Sequence, residues 1–477
     1  MAAPGDWNRS DWPKLWLYNL HYFDDLVSEG AEERLEWHRE LISRWIAENP
    51  PTDGNGWEPY PTSLRLVNWC KWLLRGNEPV DGMLDSMSVQ VRLLRRRLEY
   101  HLLGNHLWVN LKALIFAGVF FQGREAEGWR RHGLRGFRAQ LDEQVLADGG
   151  HFERSPMYHA LLSEDLLDLV QLSQRFPGAL PDQCPGGWAE TALRMLSWLE
   201  TMSHPDGGPA FFNDTAFGIA PPYADLAAYA GALGLKPKSN LAGPKTHLRE
   251  SGYVRLQSGP AVLLTDVAPL GPDYLPGHAH ADTLSFEFSL HGHRVFVNGG
   301  TSTYENGRQR QMERSTAQHN TVEVDGEDSS EVWGAFRVAR RARVFDVTVD
   351  DCSMALEASA AHDGYRRLPG RVIHRRRWVL SNGGLLVEDR LAGSWTEASA
   401  RFRLAPGLSV EVESATCGRI VGRDLVIGWQ ADGGEVRVEE SSWYPEFGRA
   451  QRCEVLVMNA LKERLVMQFN WSRFASG

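Results

Sequence analysis

The apolar residues of this 477-residue chain change their spacing midway along the sequence. Before residue 237 they recur three and four positions apart, the period of amphipathic helices, and after residue 244 they alternate with polar residues, the period of half-buried strands. Residues 237–244, Pro-Lys-Ser-Asn-Leu-Ala-Gly-Pro, interrupt both kinds of element. A run of helices followed by a run of strands predicts an α+β protein of two domains, residues 1–240 and 245–477.

Each half has its own predicted architecture. Helices of similar length joined by short links predict antiparallel hairpins stacked into an array or toroid. In the second half, turn signals such as Ser-Asn-Gly-Gly at 381–384 predict a large antiparallel sandwich. The predicted helices are residues 31–48, 62–75, 83–103, 107–122, 128–146, 156–174, 187–203 and 222–234, and the predicted strands are residues 253–256, 261–265, 283–290, 294–298, 320–324, 343–349, 377–380, 385–389 and 419–427.

The composition describes a globular protein and argues against some partners. A net charge of −10, with no stripe of Lys and Arg interleaved with aromatic residues, argues against a nucleic-acid partner. No run of about 18 apolar residues is present, so we expect no membrane insertion.

The N-terminus lacks the pattern of a signal peptide, although a trimmed chain would look the same. The five cysteines fit neither a disulfide framework nor a zinc ribbon, and the oligomeric state stays open.

Two histidines and an aspartate lie close together in the segment that leads into one predicted strand. His278, His280 and Asp282 precede the alternating apolar residues of 284–290. Because residues two apart on a strand face the same side, we expect these three side chains to form a polar cluster at the strand entrance. The alternative is a solvated loop with surface histidines.

Three further segments carry candidate functional side chains. Ser155 followed by Pro156 predicts a helix start, which puts Tyr158 in the first helical turn, either in a site or packed in the core. Asn105 opens another helical run, where an amide is either an N-cap or functional. His319 directly precedes a predicted strand, so that His280 and His319 are candidates to share a metal ion.

Taken together, these segments resemble the heparinase II/III family of polysaccharide lyases. They occur in the family's order, and the resemblance covers nearly the whole chain. Two upstream segments, residues 18–23 and 57–65, are similar to the variant of this family associated with bacterial exopolysaccharide clusters. The segments that carry the resemblance are Asn-His-Leu at 105–107, Asp-Gly-Gly-His-Phe-Glu-Arg-Ser-Pro-Met-Tyr at 148–158, Gly-His-Ala-His-Ala-Asp at 277–282 and Arg-Ser-Thr-Ala-Gln-His-Asn-Thr at 314–321.

The resemblance implies an incomplete (α/α) toroid followed by an antiparallel β-sandwich, with the active site in the cleft between them. It implies β-elimination on an acidic polysaccharide that contains uronic acid, such as a glycosaminoglycan, an alginate-like polymer or a bacterial exopolysaccharide, without an organic cofactor. It also suggests a periplasmic or secreted bacterial protein.

The chemistry of such an elimination explains why these residue types are needed. Removing the C5 proton of a uronic acid builds negative charge on its carboxylate, and the leaving O4 must be protonated. By resemblance, Asn105 and His106 hold the carboxylate. Tyr158 protonates the leaving oxygen and, for one C5 configuration, also serves as the base, whereas His278 is the alternative base.

Further residues are candidates for binding the substrate. Guanidinium groups pair with carboxylate or sulfate, indole rings stack on sugars, and a phenol or an amide donates hydrogen bonds. The arginines have an alternative role in ion pairs with Glu153, Glu305 or Glu313. The candidates are Arg154, Arg308, Arg314, Tyr304, Trp108, Trp333 and Asn213, the last in a loop that is either a cleft wall or a helix cap.

The metal site of part of the family is altered in this chain. Zinc-bearing relatives use two histidines and an aspartate, and the matching positions here are His280, Asn298 and His319. An amide oxygen is a poorer zinc ligand than a carboxylate, so a structural zinc or calcium ion is expected only if Asn298 suffices. The alternative is that the two histidines bond to each other and brace His278.

Two other classes of protein compete with the lyase interpretation. A glycoside hydrolase needs two carboxylic acids in its cleft, and Glu58, Glu153, Asp206 and Asp214 are candidates. The second class is a catalytically silent glycan-binding or polysaccharide-assembly protein. It needs neither the two carboxylic acids of a hydrolase nor the tyrosine and histidine of a lyase, and its function would survive replacement of Tyr158 by phenylalanine. Only the lyase forms a carbon–carbon double bond in its product.

Overall fold

A computed structural model of the chain describes residues 3–181, 183–352 and 355–471. Apart from the short helix Arg308–Glu313, its α-helices precede its strands: the helix before the predicted break ends at Ala232, and the first strand begins at Lys245. The predicted α+β order is therefore confirmed, whereas the domain bounds at residues 240 and 245 stay predictions. Within the described residues, no helix combines the length and the apolar character needed to cross a membrane.

The helices of the described residues follow the predicted order, with an extra short helix near the N-terminus and another among the strands. They are α1 (Lys14–Asn19), α2 (Leu35–Glu48), α3 (Pro59–Leu74), α4 (Met83–Leu94), α5 (Gly104–Phe120), α6 (Arg124–Gln144), α7 (Pro156–Arg175), α8 (Gln183–Thr201), α9 (Tyr223–Ala232) and α10 (Arg308–Glu313).

The strands are more numerous than the sequence predicted. The predicted strand 419–427 is two strands joined by a tight turn at Arg423 and Asp424. The alternation shifts by one residue at this turn, since Ile420 is buried before it and Leu425 and Ile427 are buried after it. The strands are β1 (Lys245–Leu248), β2 (Tyr253–Ser258), β3 (Ala261–Asp266), β4 (Phe286–Leu290), β5 (His293–Phe296), β6 (Val322–Val324), β7 (Val332–Trp333), β8 (Arg337–Val338), β9 (Val344–Cys352), β10 (Ala355–His362), β11 (Ile373–Ser381), β12 (Gly384–Ala392), β13 (Ala398–Arg403), β14 (Ser409–Ser414), β15 (Cys417–Gly422), β16 (Leu425–Asp432), β17 (Gly434–Glu446), β18 (Arg449–Ala460) and β19 (Arg464–Asn470).

The chain divides into two compact units. The first contains Met1–Gln144 and Asp165–Ala189, and the second contains Val145–Glu164 and Glu190–Gly477. In the first unit, α5 is apolar on nearly every side and packs against α3 and α6. A helix that is hydrophobic all round is expected to be buried among its neighbours, as α5 is.

Most of the second unit consists of antiparallel sheets, which surround a large apolar core. In the order of neighbouring strands, the sheets are β1-β2-β3-β4-β5, then β14-β15-β16-β19-β12-β11-β10-β9, then β17-β18-β13-β6, with β7 and β8 forming a separate hairpin. All three larger sheets contribute to the core, which includes Phe288, Phe402 and Phe469. On β11, buried and half-buried residues alternate strictly, which is the pattern that predicted the sandwich.

Strand β4 differs from its prediction in two ways. It begins at Phe286 rather than at residue 283, and both of its faces are buried. The apolar face packs in the core, while the polar face contacts His204, whose Nε2 lies 2.8 Å from Glu287 Oε2 and whose Nδ1 lies 2.7 Å from Ser289 Oγ. The alternation therefore separates an apolar face from a hydrogen-bonded face rather than from solvent.

A buried polar network lies inside the sandwich. Arg376 donates to both oxygens of Asp389 at 2.7 and 2.9 Å, and its Nη1 lies 3.0 Å from the carbonyl oxygen of Leu284. His374 Nε2 lies 2.6 Å from Asp389 Oδ1. Burial alone would raise the pKa of the Asp389 carboxyl, but Arg376 and His374 hold that pKa well below its usual range.

We expect Asp389→Asn to lower the free energy of unfolding by about 3–5 kcal/mol, because it leaves the buried Arg376 guanidinium without a counter-charge. The matched control is Asp346→Asn on the exposed Asp346–Arg375 pair, expected to cost about 0–1 kcal/mol. Since the pKa of Asp389 is lowered by folding, its contribution is complete above the unfolded-state pKa and is lost as the pH falls. Denaturant unfolding of both variants tests this, and equal losses would contradict it.

Candidate active site

The segment that carries His278 and His280 is a loop, not the start of a strand. The chain from 277 to 285 contains no strand residues, and Leu284 has a left-handed φ of 61°. The two histidines still converge, because both bond to one carboxylate: His278 Nδ1 lies 2.8 Å from Asp214 Oδ2, and His280 Nε2 lies 2.8 Å from Asp214 Oδ1. Asp282 accepts a bond from the backbone N–H of Asn213 at 3.2 Å.

Asp214 is fully buried and organises this cluster. Arg310 donates to both of its oxygens, with Nη2 2.7 Å from Oδ2, and the hydroxyl of Thr301 donates to Oδ1 at 3.2 Å. Burial opposes ionisation of Asp214, but Arg310 and the two histidines hold its pKa well below the usual range. The carboxylate therefore accepts hydrogen bonds only, and His278 donates from Nδ1.

Tyr158 occupies the predicted place at the start of a helix. Its backbone N–H donates to Ser155 Oγ at 3.2 Å, so Ser155 caps α7, with Pro156 as the first helical residue. Its ring centroid lies 4.0 Å from that of His278, and its hydroxyl lies 2.9 Å from the hydroxyl of Tyr304. The predicted phenol and imidazole are thus in contact within the second unit.

Tyr304 and Glu153 complete the surroundings of these two rings. Burial, followed by the charge of Asp214, raises the pKa of the Tyr304 phenol well above its usual value, so Tyr304 keeps its proton. Glu153 Oε2 lies 3.5 Å from His278 Nε2. Because Nδ1 of His278 donates its hydrogen to Asp214, the lone pair of the neutral imidazole is on Nε2. A proton accepted at Nε2 would lie beside the Glu153 carboxylate.

The three predicted metal ligands bond to each other and to the backbone. His280 Nδ1 lies 3.1 Å from His319 Nε2, and the Asn298 side-chain oxygen accepts the backbone N–H of Asn320 at 3.0 Å. Burial lowers the pKa of His280 to about 4. Among the described residues, no group of three or more His, Cys, Asp or Glu side chains could hold a metal ion. The contact between the two histidines is the one that the alternative expects, and the metal role of His280, His319 and Asn298 stays a prediction.

The candidate arginines differ in their surroundings. Arg154 donates to the carbonyl of Ser251 at 2.9 Å, and Arg314 donates to the carbonyl of Ala279 at 2.9 Å, so that both hold backbone segments of the second unit. Arg308, the first residue of α10, is exposed to solvent. All three substrate-binding roles stay predictions, and Arg308 is the arginine whose exposure suits an anionic ligand.

Two other candidates use their side chains inside the protein. The Asn213 amide donates to the carbonyl of Arg154 at 3.0 Å and accepts the N–H of His280 at 3.1 Å. Trp108 is fully buried, with its ring centroid 4.5 Å from that of Phe137. Their substrate-binding roles stay predictions, but Trp108 offers no exposed face for a sugar ring.

Asn105 and His106 belong to the first unit. Asn105 is the second residue of α5 rather than its N-cap, which is Leu103. Its side chain lies near the Tyr60 hydroxyl. His106 packs on Tyr60 with ring centroids 4.6 Å apart, and its Nδ1 lies 3.1 Å from Glu99 Oε1. Their roles at a substrate carboxylate stay predictions.

The sequence interpretation missed the parts that hold the cluster together. Asp214 was considered only as a hydrolase carboxylate or a loop residue, and Arg310 was not considered at all. Nothing local marks Arg310, which lies in a short helix between two other arginines. The one available signal for Asp214 was its place in a polar loop after the buried Phe211 and Phe212.

Comparison with known proteins gives the family of this chain. The model for the heparinase II/III-like C-terminal domain matches residues 241–472, and the model for the heparinase II/III N-terminus matches residues 78–224. The first match falls on the stranded part of the chain and the second on the helical part, in agreement with the order of elements in the structure. The chain belongs to the heparinase II/III-like family.

Several curated relatives are similar to this chain. A heparin-sulfate lyase of Bacteroides stercoris is 25% identical over 77% of this chain and 59% of its own length. A heparin-sulfate lyase of Pedobacter heparinus is 25% identical over 47% of this chain and 36% of its own length. The FtsZ-localized protein C of Caulobacter vibrioides is 24% identical over 93% of this chain and 78% of its own length. The matches to the Bacteroides and Pedobacter lyases thus span 59% and 36% of the lengths of those two proteins.

Solved structures support the fold. The crystal structure of heparinase III has a TM-score of 0.79 to this chain at 16% identity, covering 99% of this chain and 80% of that one. A heparan sulfate lyase of Pedobacter heparinus has a TM-score of 0.66 at 20% identity, covering 97% of this chain and 78% of that one. The predicted fold class, an (α/α) toroid followed by an antiparallel β-sandwich, is confirmed.

Proposed function

We propose that this protein is a polysaccharide lyase that cleaves a uronic-acid-containing polysaccharide by β-elimination. The observation that carries the proposal is the contact of Tyr158 with His278, whose Nδ1 is bonded to the buried Asp214. The names of the lyase relatives favour a glycosaminoglycan among the predicted substrates.

The two rings suit the two proton transfers of an elimination. His278, oriented through Nδ1, accepts the C5 proton at Nε2, and Glu153 stabilises the imidazolium that forms. Tyr158 protonates the leaving O4 and becomes a phenolate. The Tyr304 hydroxyl, 2.9 Å away, stabilises this phenolate by donating a hydrogen bond to it. For the opposite C5 configuration, Tyr158 serves as both base and acid. Asn105 and His106 are proposed to hold the substrate carboxylate.

The hydrolase alternative is less well supported. Asp214 is bound by Arg310, and Asp206 is bound by Arg294 at 2.7 Å, so that neither is placed to act as an acid or base. Glu153 faces the imidazole of His278 rather than a second carboxylic acid. Glu58 lies in the first unit, where it bonds to Lys14 and Tyr18.

A catalytically silent protein is the remaining alternative. It is favoured by the relative named for FtsZ localization, whose match covers more of this chain than the matches to the lyases do. The two classes make opposite predictions for turnover, because a binding or assembly protein leaves the polymer intact.

The test is incubation of the protein with heparan sulfate, chondroitin, hyaluronan, alginate and acidic bacterial exopolysaccharides. A lyase generates absorbance in the unsaturated uronate band and new reducing ends in equal amounts. New reducing ends without that absorbance would support the hydrolase. Intact polymers across the panel would support the silent protein.

A further inference from the structure

The hairpin of β7 and β8 stands beside the candidate active site. Val332 pairs with Val338, and Trp333 pairs with Arg337. Residues 334–336 form the tip that joins the two strands. Helix α10 and its C-cap residue Arg314 hold the tip: Arg310 Nε donates to the carbonyl of Ala335 at 3.0 Å, and Arg314 Nη1 donates to the carbonyl of Gly334 at 3.1 Å. Because Arg310 also binds Asp214, the hairpin and the His278 cluster share one rigid support.

The tip carries an aromatic ring to the reacting groups. The Phe336 ring centroid lies 6.0 Å from that of His278 and 5.4 Å from that of Tyr304. Phe447 approaches Tyr304 from another element, with centroids 4.9 Å apart. Phe336 is nonetheless 41% exposed, so the aromatic surface continues from the site out to solvent.

Beyond the tip, the hairpin presents an indole beside a guanidinium. Residues directly opposite each other in an antiparallel pair have side chains on the same face, so Trp333 and Arg337 lie side by side. Trp333 is 56% exposed, and Arg337 is exposed as well. Trp333 and the exposed Phe336 of the same hairpin together form an aromatic surface, and such contiguous exposed apolar surface marks binding sites more often than a single exposed ring does.

We propose that the 332–338 hairpin is a binding subsite for one acidic sugar of the polysaccharide, next to the linkage that is cleaved. The Trp333 indole stacks on the apolar face of the pyranose ring, and Arg337 pairs with its carboxylate or sulfate. Phe336 forms the wall between this sugar and His278. This proposal deepens the proposed function and rests on it for the identity of the ligand.

The charges around the hairpin favour an anionic ligand. Arg308 is exposed in the same α10 that supports the tip. Glu331, at the base of the hairpin, is neutralised by Arg340, whose Nε lies 2.7 Å from its carboxylate. The neighbouring loop carries an exposed carboxylate, that of Glu305. This loop lies close to the tip: a Cβ atom added to Gly334 would be 3.9 Å from Asn306 Oδ1.

The experiment measures binding without turnover. Full-length Tyr158→Phe is titrated with size-defined heparan sulfate oligosaccharides, alone and combined with Trp333→Ala or Arg337→Gln. We expect each added substitution to weaken binding about tenfold, as for other central aromatic or arginine contacts. Arg337→Gln should also lower the salt dependence of Kd, because it removes an ionic contact. The matched control is Trp37→Ala, an exposed tryptophan of α2 in the first unit, which should leave Kd unchanged.

The outcomes separate this subsite from the proposed function. Unchanged affinity in both hairpin variants, or failure of Tyr158→Phe to bind any oligosaccharide, would overturn the subsite. Equal weakening by Trp37→Ala would also overturn it. Hairpin-dependent binding together with a wild-type protein that forms no unsaturated product would leave the subsite standing and remove the lyase function.

Discussion

Replacing Tyr158 with phenylalanine is expected to lower kcat for elimination by about 10²- to 10⁴-fold, the usual contribution of a general acid or base. The variant loses only the hydroxyl, which lies 2.9 Å from that of Tyr304, and keeps the ring against His278. We therefore expect KM and the thermal unfolding midpoint to change little. Initial rates of unsaturated product formation, with circular dichroism, measure these three quantities.

The matched control for this substitution is Tyr274→Phe. Tyr274 is 54% exposed, and its ring lies 6.3 Å from that of Phe152 rather than against His278, so the same chemical change there should leave kcat unaltered. A Tyr158→Phe enzyme that turns over at the wild-type rate would remove Tyr158 from the mechanism. An equal loss in both variants would point to a general effect of removing hydroxyl groups.

Replacing Asp214 with asparagine is expected to damage both activity and stability. An amide can donate to His278 Nδ1, which would favour the wrong tautomer and move the proton to Nε2, so we expect kcat to fall by about 10²- to 10⁴-fold. The change also leaves the fully buried Arg310 guanidinium without a counter-charge, at a cost of about 3–5 kcal/mol in the free energy of unfolding.

The stability and catalytic effects of Asp214→Asn are separated by measuring activity at a temperature where the variant is still folded. The control is Asp206→Asn, which removes a carboxylate that pairs with Arg294 rather than with His278. We expect that control to keep its kcat. Full activity of folded Asp214→Asn would show that His278 does not depend on this carboxylate for its orientation.

The parts of the fold that the sequence predicted correctly have local causes. The change of period at 237–244 separated the helices from the strands, because each period reflects the geometry of one element. Ser155 and Pro156 marked the start of α7, because the first turn of a helix leaves N–H groups that a serine satisfies and a proline lacks. Both signals lie within a few residues of the feature that they predict.

The candidate site was harder to predict because its contacts are distant in sequence. Asp214 and Arg310 are 96 positions apart, and nothing near either residue indicates the other. His278 and His280 were predicted to share a strand face, yet they meet through a loop that bonds to Asp214. Tyr158 and His278 were candidates from their own segments, a family resemblance assigned them to one site, and their contact at 4.0 Å became visible only in the structure.

The partner of the Asn298 side chain could not be predicted from the sequence. Asn298 was expected to be a weak ligand, and its oxygen instead accepts the N–H of Asn320. The charge beside the histidines comes from Arg310, which binds the carboxylate that both His278 and His280 contact. A guanidinium held in this way supplies a fixed positive charge without any metal ligand.

The central claim is that the Tyr158–His278 pair breaks a glycosidic bond by elimination rather than by hydrolysis. Mass spectrometry of the oligosaccharides released by the wild-type protein in ¹⁸O-labelled water tests this claim directly. Elimination predicts fragments with an unsaturated end and no label. The two fragments from one cleavage together weigh one water less than the two products of hydrolysis, because elimination adds no water. Saturated fragments that carry the label would contradict it.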